Sequence, residues 1–142
     1  MYLLAFDLGD KRTGVAAGDD ATQIVSPVDV IDVPITAAGG DELVRRLNGV
    51  IAEHAPARVV VGLPLNMDGT EGPASKKVRA FASRLTPPAG TEVVFFDERL
   101  TSADADWAMA RSGFTHKQKK ERRDALAACA ILRDYLASIP GR

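Results

Sequence analysis

Cysteine is nearly absent: Cys129 is the one thiol in 142 residues. A single thiol excludes an internal disulfide and any multi-cysteine metal site. Its place in an Ala-rich helical run makes it a buried structural group rather than a reactive one. Charge of one sign is lacking as well. Lys and Arg number 18 against 19 Asp and Glu, a net charge of −1. The chain is therefore no uniformly basic nucleic-acid coat, and any polyanion site must be a local patch. No apolar run approaches the ~20 residues of a membrane span. The first such run, Tyr2 to Phe6, stops at Asp7 with no basic leader, which argues against a signal peptide and for a cytoplasmic location. Repeats, low-complexity tracts and dividing linkers are missing too. With 46% hydrophobic and 26% charged residues, residues 1–142 are expected to form a single domain around one core.

What is present alternates between strand and helix patterns. Residues 2–6 read as a central strand ending at Asp7. Gly9 and Gly14 bracket a polar turn before a second run, Val15 to Ala17, which is a hairpin pattern. Residues 24–33 are rich in Val and Ile, and Pro27 and Pro34 push this third strand to a sheet edge. A helix capped by Asp41 runs to about His54, with Leu43, Leu47, Val50, Ile51 and His54 on one face. Arg58 to Val61 is a buried-type strand, followed by a loop from Gly62 to Gly69. Pro73 opens the next helix, lined by Val78, Phe81, Ala82 and Leu85. Glu92 to Phe96 is a further strand that runs into Asp97-Glu98-Arg99. Thr101 with Asp104, and Thr115 with Gln118, read as capping boxes of two closing helices, the first ended by Gly113. The second carries Leu126, Cys129, Leu132 and Leu136 on one stripe. Three opening strands followed by alternating helices and strands imply an α/β, three-layer fold on a mixed sheet.

Three carboxylates interrupt these apolar segments. Asp7 ends the first strand, Glu98 follows the fifth, and Asp124 lies where the last helix turns from polar to apolar. Sites in open sheets collect beyond the carboxyl ends of strands, so the first two can converge and the helix can bring the third across them. Converging carboxylates raise each other's pKa unless cations neutralise them. An oxygen donor set without Cys or His suits Mg²⁺ or Mn²⁺ better than zinc. Plainer roles compete for each acid. Asp7 could form a turn, Glu98 could pair with Arg99, and Asp124 could pair with Lys120 or Arg123.

The local words around the acids form a pattern. Asp7-Leu8-Gly9-Asp10-Lys11-Arg12-Thr13-Gly14-Val15-Ala16 resembles the opening motif of the YqgF (RuvX) family of bacterial ribonuclease H-like nucleases. Gly62-Leu63-Pro64 with Asp68-Gly69 and Gly72 resembles that family's central loop, and Asp97-Glu98-Arg99-Leu100-Thr101 its third motif. The closing segment from Lys120 to Leu136, with Asp124-Ala125-Leu126-Ala127-Ala128, resembles the fourth. The motifs run in family order over nearly the whole chain. The resemblance implies a ribonuclease H-like α/β/α fold with a mixed five-stranded sheet and a nuclease site at Asp7, Glu98 and Asp124. Family members are described as Holliday-junction resolvases and as nucleases maturing the small-subunit ribosomal RNA precursor. Two divalent ions, Mg²⁺ or Mn²⁺, are then expected on the three acids, with Asp7 shared between them, for phosphodiester hydrolysis.

Basic residues should hold the nucleic acid. Lys11 and Arg12 follow Asp7, Arg99 follows Glu98, and Lys117, Lys119, Lys120, Arg122 and Arg123 precede Asp124. A solvated helix start is the plain alternative for that last run. Gly9 would let a substrate backbone approach the ions closely. Asp68 reads as a turn aspartate rather than an accessory ligand. His54 and His116 read as structural or exposed, and Trp107 and Phe114 as helix packing rather than base-stacking groups. RNA is the expected substrate, with possible ribosomal precursor particles as partners and a monomer or weak homodimer as the working form. Branched DNA is the alternative, and a non-cleaving ribosome-assembly module is a second one. Asp-x-Gly before a hairpin glycine also resembles the first phosphate motif of actin-like sugar kinases and chaperone ATPases. Those need two such domains to enclose ATP, and 142 residues supply one.

Overall fold

A computed structural model describes residues 1–98 and 116–139, the side chains of 116–124 excepted. Five strands form one sheet: β1 (Tyr2–Leu8), β2 (Thr13–Asp19), β3 (Val25–Ile31), β4 (Arg58–Leu63) and β5 (Glu92–Asp97). Their order is β3-β2-β1-β4-β5. β1, β2 and β3 pair antiparallel as expected of hairpins, whereas β1–β4 and β4–β5 are parallel. Helix α1 (Asp41–His54) joins β3 to β4, α2 (Pro73–Ala82) joins β4 to β5, and α3 (His116–Ser138) closes the chain. The capping boxes expected around 101–115 lie outside the described residues. No helix among the described residues is long and apolar enough to cross a membrane.

The unbroken apolar runs of β1 and β4 reflect burial on both faces. Leu4, Phe6, Val59, Val61 and Leu63 pack toward α1 and α2, against Leu43, Leu47, Ile51, Val78 and Phe81. The alternate residues Leu3, Ala5, Ala16 and Val60 meet Ala128, Cys129, Ile131, Leu132 and Leu136 of α3. The sheet therefore carries helices on both sides, in three layers. β3 is an edge strand, which is why it tolerates Pro27 opposite Ala16, next to an irregularity in the register.

Two local expectations are corrected. The residue preceding α1 is Gly40 in the left-handed region (φ 96°), with no side-chain cap, and Asp41 is the first helical residue. The Asp41 carboxylate instead pairs with Arg84 beyond α2, while its charge still suits the positive end of the helix dipole. The second correction concerns Gly62. It belongs to β4, paired with Phe96, rather than to the following loop.

Candidate active site

Strand alternation places the acids. Successive side chains of a strand point to opposite faces. On β1, Leu3 and Ala5 face α3, so Asp7 takes the same face. On β4, Val60 faces α3, and Gly62 follows it. On β5, Val94 and Phe96 pack against that layer, and Glu98 continues the alternation one residue past the strand. The Glu98 amide donates to the Leu63 carbonyl at 3.3 Å, which prolongs the β4–β5 pairing to the site. The parallel register sets Phe6 beside Val61, Gly62 beside Phe96 and Leu63 beside Asp97. Asp7, Gly62 and Glu98 thus stand at the carboxyl ends of three adjoining parallel strands, on one face.

The two carboxyl groups meet. Glu98 is pushed up to about 8, first by burial, then by the Asp7 charge, by a side-chain hydrogen bond with Asp7, and by Asp97. With its pKa raised that far, the Glu98 carboxyl favours its protonated form at neutral pH. The site stabilises added positive charge, and a proton is the smallest that can supply it. Its donors are all oxygen, which fits Mg²⁺ or Mn²⁺. Among the described residues no cluster of three or more His, Cys, Asp or Glu side chains forms. The third expected acid, Asp124, lies in the helical backbone of α3, and its side chain is outside the described residues.

The course of α3 is fixed by two contacts. Tyr135 Oη accepts a hydrogen bond from Arg58 Nη1 (2.7 Å) at the start of β4. Ile131 lies over Gly62 near the end of that strand. Moving toward the N-terminus of α3 therefore means moving toward the carboxyl ends of the parallel strands. Position 124 is two turns before Ile131, about 10 Å further in that direction.

The remaining expected residues divide. Gly9 is enclosed by its own hairpin: its amide donates to the Arg12 carbonyl at 2.9 Å, and a Cβ would lie 2.7 Å from that oxygen. The turn itself therefore demands glycine there. Lys11 is exposed on the turn, whereas Arg12 forms an ion pair with Asp32 at 3.5 Å. Arg99, and the side chains of Lys117, Lys119, Lys120, Arg122 and Arg123, lie outside the described residues, as do Trp107, Phe114 and the His116 side chain. Asp68 accepts from the Thr70 amide (3.0 Å) and hydroxyl (2.6 Å), the turn role expected of it. His54 Nδ1 is hydrogen-bonded to the Tyr2 hydroxyl at 2.8 Å, away from the acids. Cys129 is fully buried, and burial pushes its thiol pKa up, as suits a structural residue. Gly62 was not singled out as a site residue from sequence. A glycine interrupting a Val-rich strand was the available signal.

Comparison with known proteins defines the class first. The chain superimposes with a TM-score of 0.62 on the Fowlpox virus resolvase in complex with Holliday junction DNA, at 13% identity over 97% of this chain and 98% of that one. Thermus thermophilus RuvC in complex with a Holliday junction substrate gives 0.59, at 15% identity over 96% and 95%. The fold is that of the ribonuclease H-like proteins. A family model described as RuvX, Holliday junction resolvase, matches residues 1–138, and the chain belongs to the RuvX (YqgF) family. A Lactococcus lactis relative named "Putative pre-16S rRNA nuclease" is 37% identical over 134 residues, covering 94% of this chain and 92% of its own.

Proposed function

We propose that this protein is a metal-dependent nuclease that hydrolyses phosphodiester bonds in the small-subunit ribosomal RNA precursor, in the cytoplasm. The observation that carries the reading is the Asp7–Glu98 pair, two carboxyl groups brought together at adjoining strand ends, with burial and the Asp7 charge raising the Glu98 pKa. Such a pair would repel an anionic phosphodiester unless cations replaced the proton. Asp7, Glu98 and Asp124 are the residues that would hold two Mg²⁺ or Mn²⁺ ions, with Asp7 common to both. Bound there, the ions supply an activated water and neutralise charge at the leaving oxygen. The rest falls to the chain. Asp7 sits on β1 and Glu98 directly follows β5, tied to β4 by its amide, so the backbone sets the two acids side by side, and Glu98 would release its proton as the ions load. Lys11, Arg12 and Arg99, with Lys117, Lys119, Lys120, Arg122 and Arg123, would grip backbone phosphates without reading bases.

The pre-rRNA substrate is favoured by the name of the relative that matches nearly the full chain, together with a site that cuts one strand per chain. The second reading, junction resolution, is favoured by the family's description. It would need two such sites held in a symmetric dimer. The deciding experiment offers a single-stranded ribosomal-precursor RNA and a four-way DNA junction side by side with Mn²⁺, while the mass in solution is measured. RNA cleavage that stops in chelator is the expected result. Paired symmetric incisions of the junction by a dimer, with RNA left uncut, would select the second reading. Binding without cleavage of either substrate would make the protein a ribosome-assembly module instead.

A further inference from the structure

Between the two acids runs a third strand. β4 separates β1 from β5, and neighbouring strands are about 4.8 Å apart, so Asp7 and Glu98 spring from backbones about 10 Å from each other. The Glu98 side chain reaches Asp7 by lying across β4, and the β4 residue beneath it is Gly62. A Cβ built on Gly62 would fall well inside van der Waals contact with Glu98 Oε2, 3.2 Å from the Glu98 carboxyl carbon, and 2.6 Å from Ile131 Cδ1. Gly62 is not among the glycines with positive φ. Its backbone is ordinary strand that any residue adopts, so the requirement is for space.

We infer that Gly62 is a positioning residue of the acidic site: its missing side chain is the gap through which the Glu98 carboxylate crosses β4 to reach Asp7. For its functional meaning this rests on the nuclease reading above. The two obstructed neighbours differ in kind. Ile131 is fully buried in the α3 layer, whereas the Glu98 carboxylate is the far end of a flexible side chain. When a methyl group is added at position 62, the carboxylate yields first. It swings away from Asp7 while the sheet and α3 stay in place.

The test compares wild type, Gly62→Ala and Gly62→Ala/Ile131→Val. The valine deletes Cδ1, the helix atom in the way, and leaves only the obstruction to Glu98. Metal-free melting, Mn²⁺ affinity by calorimetry, and binding of a single-stranded RNA in chelator are measured for each. We expect Gly62→Ala to give a cooperative melt, which shows that it is folded, and to bind RNA equally well in chelator. Its Mn²⁺ affinity should fall by ~10-fold or more, the scale seen when a group that orients a metal ligand is lost. The double variant should show the same loss. Undiminished Mn²⁺ affinity in folded Gly62→Ala would overturn the inference. Recovery of affinity on adding Ile131→Val would also overturn it, because the glycine would then serve only helix packing. If Gly62→Ala does not fold, the double variant carries the same two outcomes. A crystal structure of metal-free Gly62→Ala adds a readout independent of ions: Glu98 still on Asp7 refutes the positioning role. A wild type that binds no Mn²⁺ sinks the nuclease reading alone and leaves that crystallographic test standing.

Discussion

Replacing Glu98 by Gln should make the metal-free protein more stable at neutral and alkaline pH. In the folded chain the Glu98 pKa lies at about 8, against an ordinary value of 4.5. A folded pKa above the unfolded one means that folding favours the protonated form. The stability associated with this group is complete below pH 4.5, declines as pH rises, and is gone above about pH 8. Each pH unit across that window corresponds to about 1.36 kcal/mol. Allowing for partial contact of the carboxyl group with water, the loss is on the order of 3 kcal/mol at pH 8.5. For a domain of this size that is a difference in Tm of about 10 °C. Gln keeps the shape and cannot ionise. The assay is urea denaturation of both proteins in chelator at several pH values from 4.5 to 8.5, read as the difference between them, so that other titrating groups cancel. The difference should be near zero at the acid end and grow in favour of Glu98→Gln toward pH 8.5. Mn²⁺ should then reverse the order, because a ligand that binds only the folded wild type stabilises it by mass action. A difference that stays flat with pH, or a variant less stable than wild type at pH 8.5 in chelator, would refute the account of the acid pair.

Asp7→Asn should abolish cleavage while preserving the fold, since the change is nearly isosteric, and should raise metal-free stability by removing carboxylate repulsion. Full turnover by this variant in a Mn²⁺ cleavage assay would contradict the assigned role. Replacing Lys117, Lys119, Lys120, Arg122 and Arg123 together by Ala should weaken RNA binding evenly across sequences. It should also flatten the salt dependence by up to ~0.7 in log–log slope per lost phosphate contact, with Mn²⁺ affinity unchanged in calorimetry. Leu132, on the sheet-facing side of α3, is fully buried, so Leu132→Ala should cost about 2–5 kcal/mol in urea denaturation; a cost below about 1 kcal/mol would mean that the α3 layer is loosely packed.

The ease with which each element could be read from sequence follows how local its causes are. The existence and end of helix α1 were legible, because its apolar period lies within the segment and Pro56 stands just beyond it. Its start was misread because Asp41 looks like a cap, whereas its partner Arg84 is 43 residues away. The third strand was placed at an edge by Pro27 and Pro34, and the sheet order agrees. The end of β4 was cut short because Gly62 breaks the apolar run; pairing with Phe96, invisible to local pattern, keeps it in the sheet. Asp7 and Glu98 were each visible as polar interruptions, yet only the family resemblance joined them, since 91 residues separate them. Gly9 shows the opposite case. It was read as room for substrate, and the Arg12 carbonyl already occupies the space that a side chain would need.

The sheet order also bears on when the protein becomes active during synthesis. The first three strands, α1 and β4 lie within residues 1–63, which carry Asp7 but neither Glu98 nor Asp124. Glu98 arrives only when β5 docks on the outer side of β4, and Asp124 only when α3 lies down across the opposite face. A ribosome releases the chain from its N-terminus, at roughly 5–20 residues per second, so the nascent protein passes through every earlier stage with an incomplete acid set. On the proposed site, placing one acid near the front of the chain and the others behind it would work as a built-in delay. Cleavage would then begin only after the C-terminal helix is in place.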